Sequence, residues 1–369
     1  MEILKVAILG ARGIPAKYSG YDTLVEELAL GLAKRGTAMV LVYCRSPYYE
    51  KQPEFLAGVR LVYLSSPRLK AIESLLHSLF SSLHVLWQDT DVIFFVDPAN
   101  APFVALLRLF GKKVIVHTDG LGWKRQKWSP LARRYYKGVE WLCARLATGL
   151  VSDNPIMQDY YLKEYGSPST YIPYGAANPS GSDQAVYKDF GLVRKAYLLV
   201  VARLERENNT DFIIEEYVKS HLSLALVVVG DAPYDPPYLA RLHELADQRV
   251  IFTGRIHDQR KLNALYAGAY LYIHGHEVGG TNPSLLRAMG SGTAPLVINV
   301  PFNTTVVDDA GFVFQKKSGQ LTAMLEHLAP SQSQVREVGL KAKVRAASHY
   351  RWDTVVTDYE KLFYRTAVA

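Results

Sequence analysis

The chain has 369 residues, of which 49% are apolar and 21% charged, with a formal net charge of +7. This balance excludes a disordered chain, and the length suits two α/β domains better than one core. No apolar run approaches ~20 residues, so no membrane-spanning helix is expected. The two cysteines, Cys44 and Cys143, stand far apart in apolar surroundings and read as buried free thiols in a reducing compartment, not as a zinc cluster. The start, MEILKVAILG, reads as a buried strand rather than a signal peptide. Residues 1–180 hold 21 Lys/Arg against 15 Asp/Glu, and the remainder 21 against 20, so the positive excess lies in the first half. A basic half can face nucleic acid, anionic lipid or a phosphorylated substrate.

In chain order, the apolar run Leu4–Leu9 predicts a strand that ends in Gly10-Ala-Arg-Gly-Ile-Pro-Ala-Lys-Tyr-Ser-Gly20. A helix follows from Tyr21 to about Arg35, with Leu24, Leu28 and Leu32 on one stripe and Gly36 as its stop. A strand at Ala38–Tyr43 completes a doubly wound nucleotide-fold opening. The loop glycines Gly10, Gly13 and Gly20 are spaced too widely for a dinucleotide fingerprint and do not spell a Walker A loop. Arg68 to Trp87 reads as an amphipathic helix whose stripe of Leu69, Ile72, Leu76, Leu79 and Leu83 is expected to be core, with a membrane-facing role as the other reading. Strands follow at Val92–Val96, Lys113–His117 and Thr148–Ser152. Between the last two, Trp123 to Lys137 carries six basic residues, four aromatics and no acid. That mixture suits an anionic membrane interface or a lipid diphosphate, single-stranded nucleic acid, or simply a solvated basic helix.

A Pro/Gly/Ser-rich stretch from Tyr171 to Asp183 marks a boundary, after which the α/β pattern restarts. Strands are expected at Tyr197–Ala202, Leu224–Val229, Val250–Thr253, Tyr270–His274, Ala294–Ile298 and Gly311–Phe314. The expected domains are 1–172, 173–345 and a C-terminal helix, 346–369, packing back on the first. The most informative stretch runs from His274 to Met289. It reads as strand end, tight loop and helix, with Asn282 as N-cap and Pro283 in the first turn. Such a helix start offers free N–H groups and a positive dipole end to an anion. Gly279 and Gly280 allow a bulky ligand to approach the backbone, and Glu277 stands at the lip. An acid beside an anion-binding helix start points to a ligand with both phosphate and hydroxyls, such as a nucleotide sugar.

Several long motifs carry a resemblance. They are Gly10-Ala-Arg-Gly-Ile-Pro-Ala-Lys-Tyr-Ser-Gly-Tyr-Asp-Thr23, Val116-His-Thr-Asp-Gly-Leu-Gly-Trp-Lys-Arg125, Ile172-Pro-Tyr-Gly-Ala176, Ala202-Arg-Leu-Glu-Arg-Glu-Asn-Asn209 and His276 to Met289. With these the chain resembles the GT-B-fold glycosyltransferases of the retaining group often numbered family 4, within it a bacterial rhamnosyltransferase-like branch. The resemblance runs nearly end to end. It implies two doubly wound Rossmann-like domains facing a central cleft, and transfer without a metal or other cofactor, with positive side chains and helix dipoles in the metal's place. It further implies diphosphate contacts from Gly13, Gly20, Arg203, Asn208 and the Gly279–Gly280–Thr281–Asn282 helix start, a nucleobase held by backbone near Arg255-Ile256, and a sugar contact from Glu277. His117 falls by the reacting sugar, with Asp119 beside it on the acceptor side.

The sequence departs from that family at Arg287, where the branch has a glutamate that binds the nucleotide ribose; an arginine cannot accept the ribose hydroxyl hydrogen bonds. Asn208 stands where the wider family has a lysine, with Arg206 as a replacement charge, and Ser19 replaces a glycine. The expected activity is transfer of one sugar, dTDP-rhamnose being the favoured donor, to a lipid-diphosphate-linked saccharide in cell-surface polysaccharide assembly. The expected place is the cytoplasm, peripheral on the inner face of the membrane, with no nucleic acid as partner. Trp123, Lys124, Arg125, Lys127, Trp128, Arg133 and Arg134 are the candidates for acceptor or membrane contact. The alternatives are a catalytically silent subunit of the same fold and a nucleotide-sugar epimerase.

Overall fold

A computed structural model describes residues 3–16, 20–67, 73–118, 120–124, 129–177, 183–232 and 235–369. The chain divides into two compact units, Met1–Tyr174 with Trp352–Ala369, and Gly175–Arg351. The first unit contains β1 (Leu4–Leu9), α1 (Gly20–Arg35), β2 (Ala38–Arg45), β3 (Phe55–Leu56), β4 (Val59–Leu64), α2 (Glu73–Val85), β5 (Val92–Val96), α3 (Ala101–Leu109), β6 (Val114–Thr118), α4 (Pro130–Leu146), β7 (Gly149–Ser152), α5 (Pro155–Tyr165) and β8 (Thr170–Tyr171). Its sheet has the order β3-β4-β2-β1-β5-β6-β7-β8. Every described pair in it is parallel except β3 with β4. Parallel strands covered on both faces read as continuous apolar runs, and β5, Val-Ile-Phe-Phe-Val, is buried throughout.

Three strands go beyond the sequence reading: β3, β4 and β8. β3 and β8 have two residues each, and β4 runs straight into a Ser-Ser-Pro segment, so neither length nor apolar density marks them.

The helices differ in how they meet this sheet. α1 buries Leu24, Leu28 and Leu32, and Gly36, at φ +67°, takes the left-handed turn that stops it. α2 does the reverse. It buries Glu73, His77, Ser78, Ser81, Ser82 and Val85, while Leu76 and Leu79 are half-buried and Phe80 and Leu83 exposed. The leucine stripe expected to be core is therefore the outer face; Leu69 and Ile72 lie outside the described residues. The reason is tertiary. β2 and the turn after it present polar partners: Tyr48 donates its hydroxyl to Glu73 Oε2 at 3.1 Å, Arg45 Nη1 stands 3.7 Å from Glu73 Oε1, and the Tyr43 hydroxyl meets His84 Nδ1 at 2.9 Å. Serines on the same face allow α2 to approach β1 and β4 closely.

The second unit holds α6 (Ala185–Asp189), β9 (Tyr197–Val201), α7 (Thr210–Lys219), β10 (Ala225–Val229), α8 (Pro236–Leu245), β11 (Val250–Gly254), α9 (Gln259–Gly268), β12 (Leu271–His274), α10 (Pro283–Gly290), β13 (Ala294–Ile298), α11 (Pro301–Val307), β14 (Phe312–Phe314), α12 (Gln320–Leu328) and α13 (Gln332–His349). Its sheet is wholly parallel, in the order β11-β10-β9-β12-β13-β14. One core gathers Leu198, Val200, Leu226, Val228, Ile273 and Leu296 from the strands with Ile213, Tyr217 and Leu325 from the helices. Finally α14 (Trp352–Val368) returns to the first unit and packs on α1, β1 and β5, with Tyr359 and Phe363 against Phe94.

Candidate active site

In parallel α/β sheets, ligands gather at the carboxyl ends of the strands. In the first unit that rim begins with the loop after β1. Gly13 is fixed there by packing: a Cβ on it would stand 2.5 Å from Cys44 Sγ, and its φ of +118° suits glycine alone. Asp22, buried in the first turn of α1, accepts the Arg12 backbone N–H at 3.0 Å and draws the loop onto the helix start at Gly20. Two strands away His117 stands next to last in β6. It is fully buried, with rings on three sides: Tyr21 at 5.8 Å, Tyr174 at 5.7 Å and Phe94 at 6.3 Å between centroids. The start of α1 and the end of β6 thus meet, although about 95 residues of chain separate them. Asp119 lies outside the described residues.

The second unit's rim is built by two loops that lock together. Arg203 follows β9 and its guanidinium is exposed, 3.4 Å from Glu205 Oε1. Asn208 is buried and donates to the Arg203 carbonyl at 2.7 Å, so this side chain shapes the loop rather than projecting from it. Arg206 is likewise engaged by the protein, paired with Asp235 at 3.1 Å and laid over the Tyr238 ring. Asn209 Nδ2 donates to the Gly275 carbonyl at 2.7 Å, and the Glu277 N–H donates to the Glu207 carbonyl at 3.0 Å. Gly275 permits this approach, because a Cβ there would lie 2.5 Å from the Asn208 carbonyl oxygen. The result sets Arg203 and Glu277 on one rim.

The helix start is equally determined. Asn282 Oδ1 accepts the Ser284 N–H at 3.0 Å as a true N-cap, and Pro283 opens α10. Behind it runs a chain from the core. The Tyr272 hydroxyl donates to Ser284 Oγ at 2.9 Å, which donates to Asn282 Oδ1 at 2.8 Å. His274 Nδ1 meets the same Tyr272 hydroxyl at 3.1 Å. Burial, then the neighbouring His276, hold the His274 pKa well below the ordinary histidine value, so its ring is neutral. His276 stacks on it at 4.2 Å, and Asn303 Nδ2 donates to the His276 carbonyl at 2.9 Å. Glu277 Oε2 pairs with Lys316 Nζ at 3.2 Å, beyond the end of β14. Gly280 and Thr281 are buried, Gly279 is half-buried, and a Cβ on it would meet open space. Ile256 is half-buried just past β11 on the same edge. Arg287 donates to Gln259 Oε1 at 2.8 Å and lies over the Tyr266 ring. Tyr272, Ser284, Asn303 and Lys316 are the contributors the sequence reading missed; no local pattern ties them to the loop.

Chemically this rim offers an exposed guanidinium, a carboxylate already beside a lysine, and the positive dipole end of a rigid helix start. That set matches an anion carrying hydroxyl groups.

The basic and aromatic segment divides. Trp123 is not a free interfacial aromatic, as the sequence suggested. It is half-buried, donates Nε1 to the Tyr160 hydroxyl at 3.2 Å, and receives Lys137 Nζ 5.0 Å from its ring centroid. Lys137 also pairs with Glu164 at 2.8 Å. Beneath them Glu140 accepts from Tyr160 and Tyr165, and burial pushes its carboxyl up to about 7 against their pull. Lys124, Arg133 and Arg134 are exposed, while Arg125, Lys127 and Trp128 lie outside the described residues. Among the described residues no group of three or more His, Cys, Asp or Glu could hold a metal ion, and no helix is long and apolar enough to cross a membrane.

Two solved structures share the fold. Sucrose-phosphate synthase from Thermosynechococcus elongatus matches with a TM-score of 0.82 over 98% of each chain, at 17% identity. HepE from Anabaena, solved with UDP-glucose, matches with a TM-score of 0.79 over 98% of this chain and all of its own, at 13% identity. In sequence, residues 195–330 match the family described as Glycosyl transferases group 1, and residues 3–177 match a Domain of unknown function, DUF1972. The chain thus has the GT-B fold, two Rossmann-like α/β units with parallel sheets. Among curated proteins this GT-B chain is 25% identical over 258 residues to O-antigen chain mannosyltransferase C of Escherichia coli. That match takes in 67% of this chain and 66% of the relative, just under two thirds of its length.

Proposed function

We propose that the chain is a metal-independent, retaining glycosyltransferase. It moves a rhamnose-type sugar, with dTDP-rhamnose as the favoured donor, onto a lipid-diphosphate-linked saccharide during cell-surface polysaccharide assembly, at the cytoplasmic face of the membrane. The observation that carries this reading is the second unit's rim, where Arg203, Glu277 and the α10 N-terminus are fixed together inside the segment that matches a glycosyltransferase family. Departure of a nucleoside diphosphate leaves negative charge that Arg203 and the helix start stabilise. Glu277, oriented by Lys316, accepts a hydroxyl of the donor sugar. Gly279, Gly280 and Thr281 line the approach, and the Ile256 backbone faces the base. On the first unit, Gly13 and Gly20 shape the loop, and His117 with Asp119 serve the reacting and acceptor groups. The UDP-glucose bound to HepE and the O-antigen chemistry of the bacterial relative support this substrate class.

The test is a thermal-shift panel with dTDP, UDP and GDP and their sugars, with and without a chelator. A nucleotide present at ~100 times its Kd adds roughly 2.7 kcal/mol of stability. The expected outcome is one nucleotide preferred, unaffected by chelation. Transfer by Glu277→Gln should fall on the order of 100-fold while that nucleotide still shifts the melting temperature. The anomeric configuration of the product, read by NMR, checks retention.

One observation favours a second reading, a silent subunit of the same fold. Arg287, which stands where the resembled family carries a glutamate, is turned onto Gln259 and Tyr266. If no nucleotide shifts the wild type and Arg287→Glu gains binding, the silent reading holds.

A further inference from the structure

The outer surface of the α2, α3 and α4 layer takes no part in the chemistry above. α3 packs between α2 and α4. Facing outward are Leu83 and Trp87 at the end of α2, Leu109 and Phe110 at the end of α3, and Trp141 on α4; Trp87 is 90% and Leu109 84% exposed. Large apolar side chains left this exposed on neighbouring helices point to an interaction site rather than a solvated face. The charge its three helices expose has a single sign. The three helices hold two acids, Glu73 and Glu140, and both are buried, whereas Arg108, Arg133, Arg134 and Arg145 are exposed. Residues 101–150 contain ten Lys/Arg and two Asp/Glu. Between α3 and α4 runs a groove lined by Ala105, Arg108, Leu109, Arg145 and Leu146, an apolar floor flanked by two guanidinium groups.

We propose that this face docks on an anionic lipid bilayer, with a phosphate headgroup held between Arg108 and Arg145 and the tips of Leu83, Trp87, Leu109 and Phe110 entering the interface. Two features select this occupant. Guanidinium groups bind phosphate in a planar fork, and their stems cover apolar surface while the charge stays at headgroup level. Bulky apolar tips among cations, with the acids of the three helices buried and the nearby Asp89 paired to Lys5, complement a flat anionic interface. The helices run antiparallel to their strands, so Trp87, Leu109 and Arg145 stand at the sheet edge opposite the His117 rim, which stays open to substrate. This deepens the functional reading, since a lipid-linked acceptor resides in such a bilayer, yet its test is independent of transfer.

The experiment is co-sedimentation of the full chain with phosphatidylcholine vesicles, with and without phosphatidylglycerol, at low and high salt. Binding is expected with the anionic vesicles and should weaken as salt rises. The Arg108→Gln/Arg145→Gln variant should lose about 30-fold in affinity for anionic vesicles. The Trp87→Ser/Leu109→Ser variant should lose about tenfold or more in affinity, with unchanged melting temperature because both residues are exposed. Absence of binding by the wild type, or equal binding by both variants, overturns the proposal. So does a wild-type dimer in light scattering that Trp87→Ser/Leu109→Ser converts to monomer, which would assign the face to a second copy. Retention of a single-stranded oligonucleotide without vesicle binding would assign it to nucleic acid instead. Failure of the functional reading would show separately, as nucleotides that never shift the melting temperature while vesicle binding persists.

Discussion

Helices α1 and α2 carry leucines at similar helical spacing, yet they bury opposite faces. In α1, Leu24, Leu28 and Leu32 sit in the core; in α2, Glu73, His77 and Ser81 point inward and Leu83 is 44% exposed. Periodicity determines that a segment is helical and two-faced. It does not determine which face wins, because that depends on what the rest of the fold offers. α1 meets aliphatic β2 and the aromatic α14. α2 meets Arg45, Tyr43 and Tyr48, which would be left unsatisfied under leucines.

The sharpest way to break this contrast is Leu28→Ala. Full burial predicts a loss of ~2–5 kcal/mol, measured by chemical denaturation. Next in size is the acid response of His77. Burial, then Arg45, push its pKa down to about 4, whereas the unfolded chain takes up the proton near the ordinary value of 6.5. The unfolded state therefore binds more protons at acid pH. This contribution is complete above pH 6.5 and is lost as pH falls toward 4, by at most about 3 kcal/mol. In His77→Leu that acid slope should be absent from denaturation curves collected across the range. Glu140 on α4 gives the opposite sign. Its folded pKa is about 7 against 4.5 unfolded, so stability is complete below pH 4.5 and declines as pH rises through 7. Glu140→Gln, which keeps an acceptor oxygen for Tyr160 and Tyr165, should flatten that decline by a similar amount, because the two groups are displaced about equally far in opposite directions. The smallest effect belongs to Leu83→Ser, within about 0.5 kcal/mol of wild type. A loss comparable to that of Leu28→Ala would mean that α2 buries its leucines in solution.

Much of the candidate site was legible because it is local. Asn282 before Pro283, with an apolar run behind and glycines ahead, specifies a capped helix start, and α10 begins there. What holds that start was not legible. Lys316 lies 39 residues from Glu277, Asn209 lies 66 from Gly275, and Asn303 lies 27 from His276. Trp123 shows the same limit: its composition reads as interfacial, and only the approach of Lys137 and Tyr160 from two other helices reveals that it is half-buried and engaged by the protein.

By itself the sequence determined the alternation of apolar strands and amphipathic helices, hence two parallel α/β sheets, and it located the loop from His274 to Asn282. Strand runs, caps and glycine turns are near-neighbour properties, so nearby residues suffice to write them. The tertiary structure decided which face of α2 is buried, which arginines remain exposed, and which basic surface meets solvent. Those outcomes follow from desolvation and pairing between residues far apart in the chain, and the balance is struck only when the partners arrive.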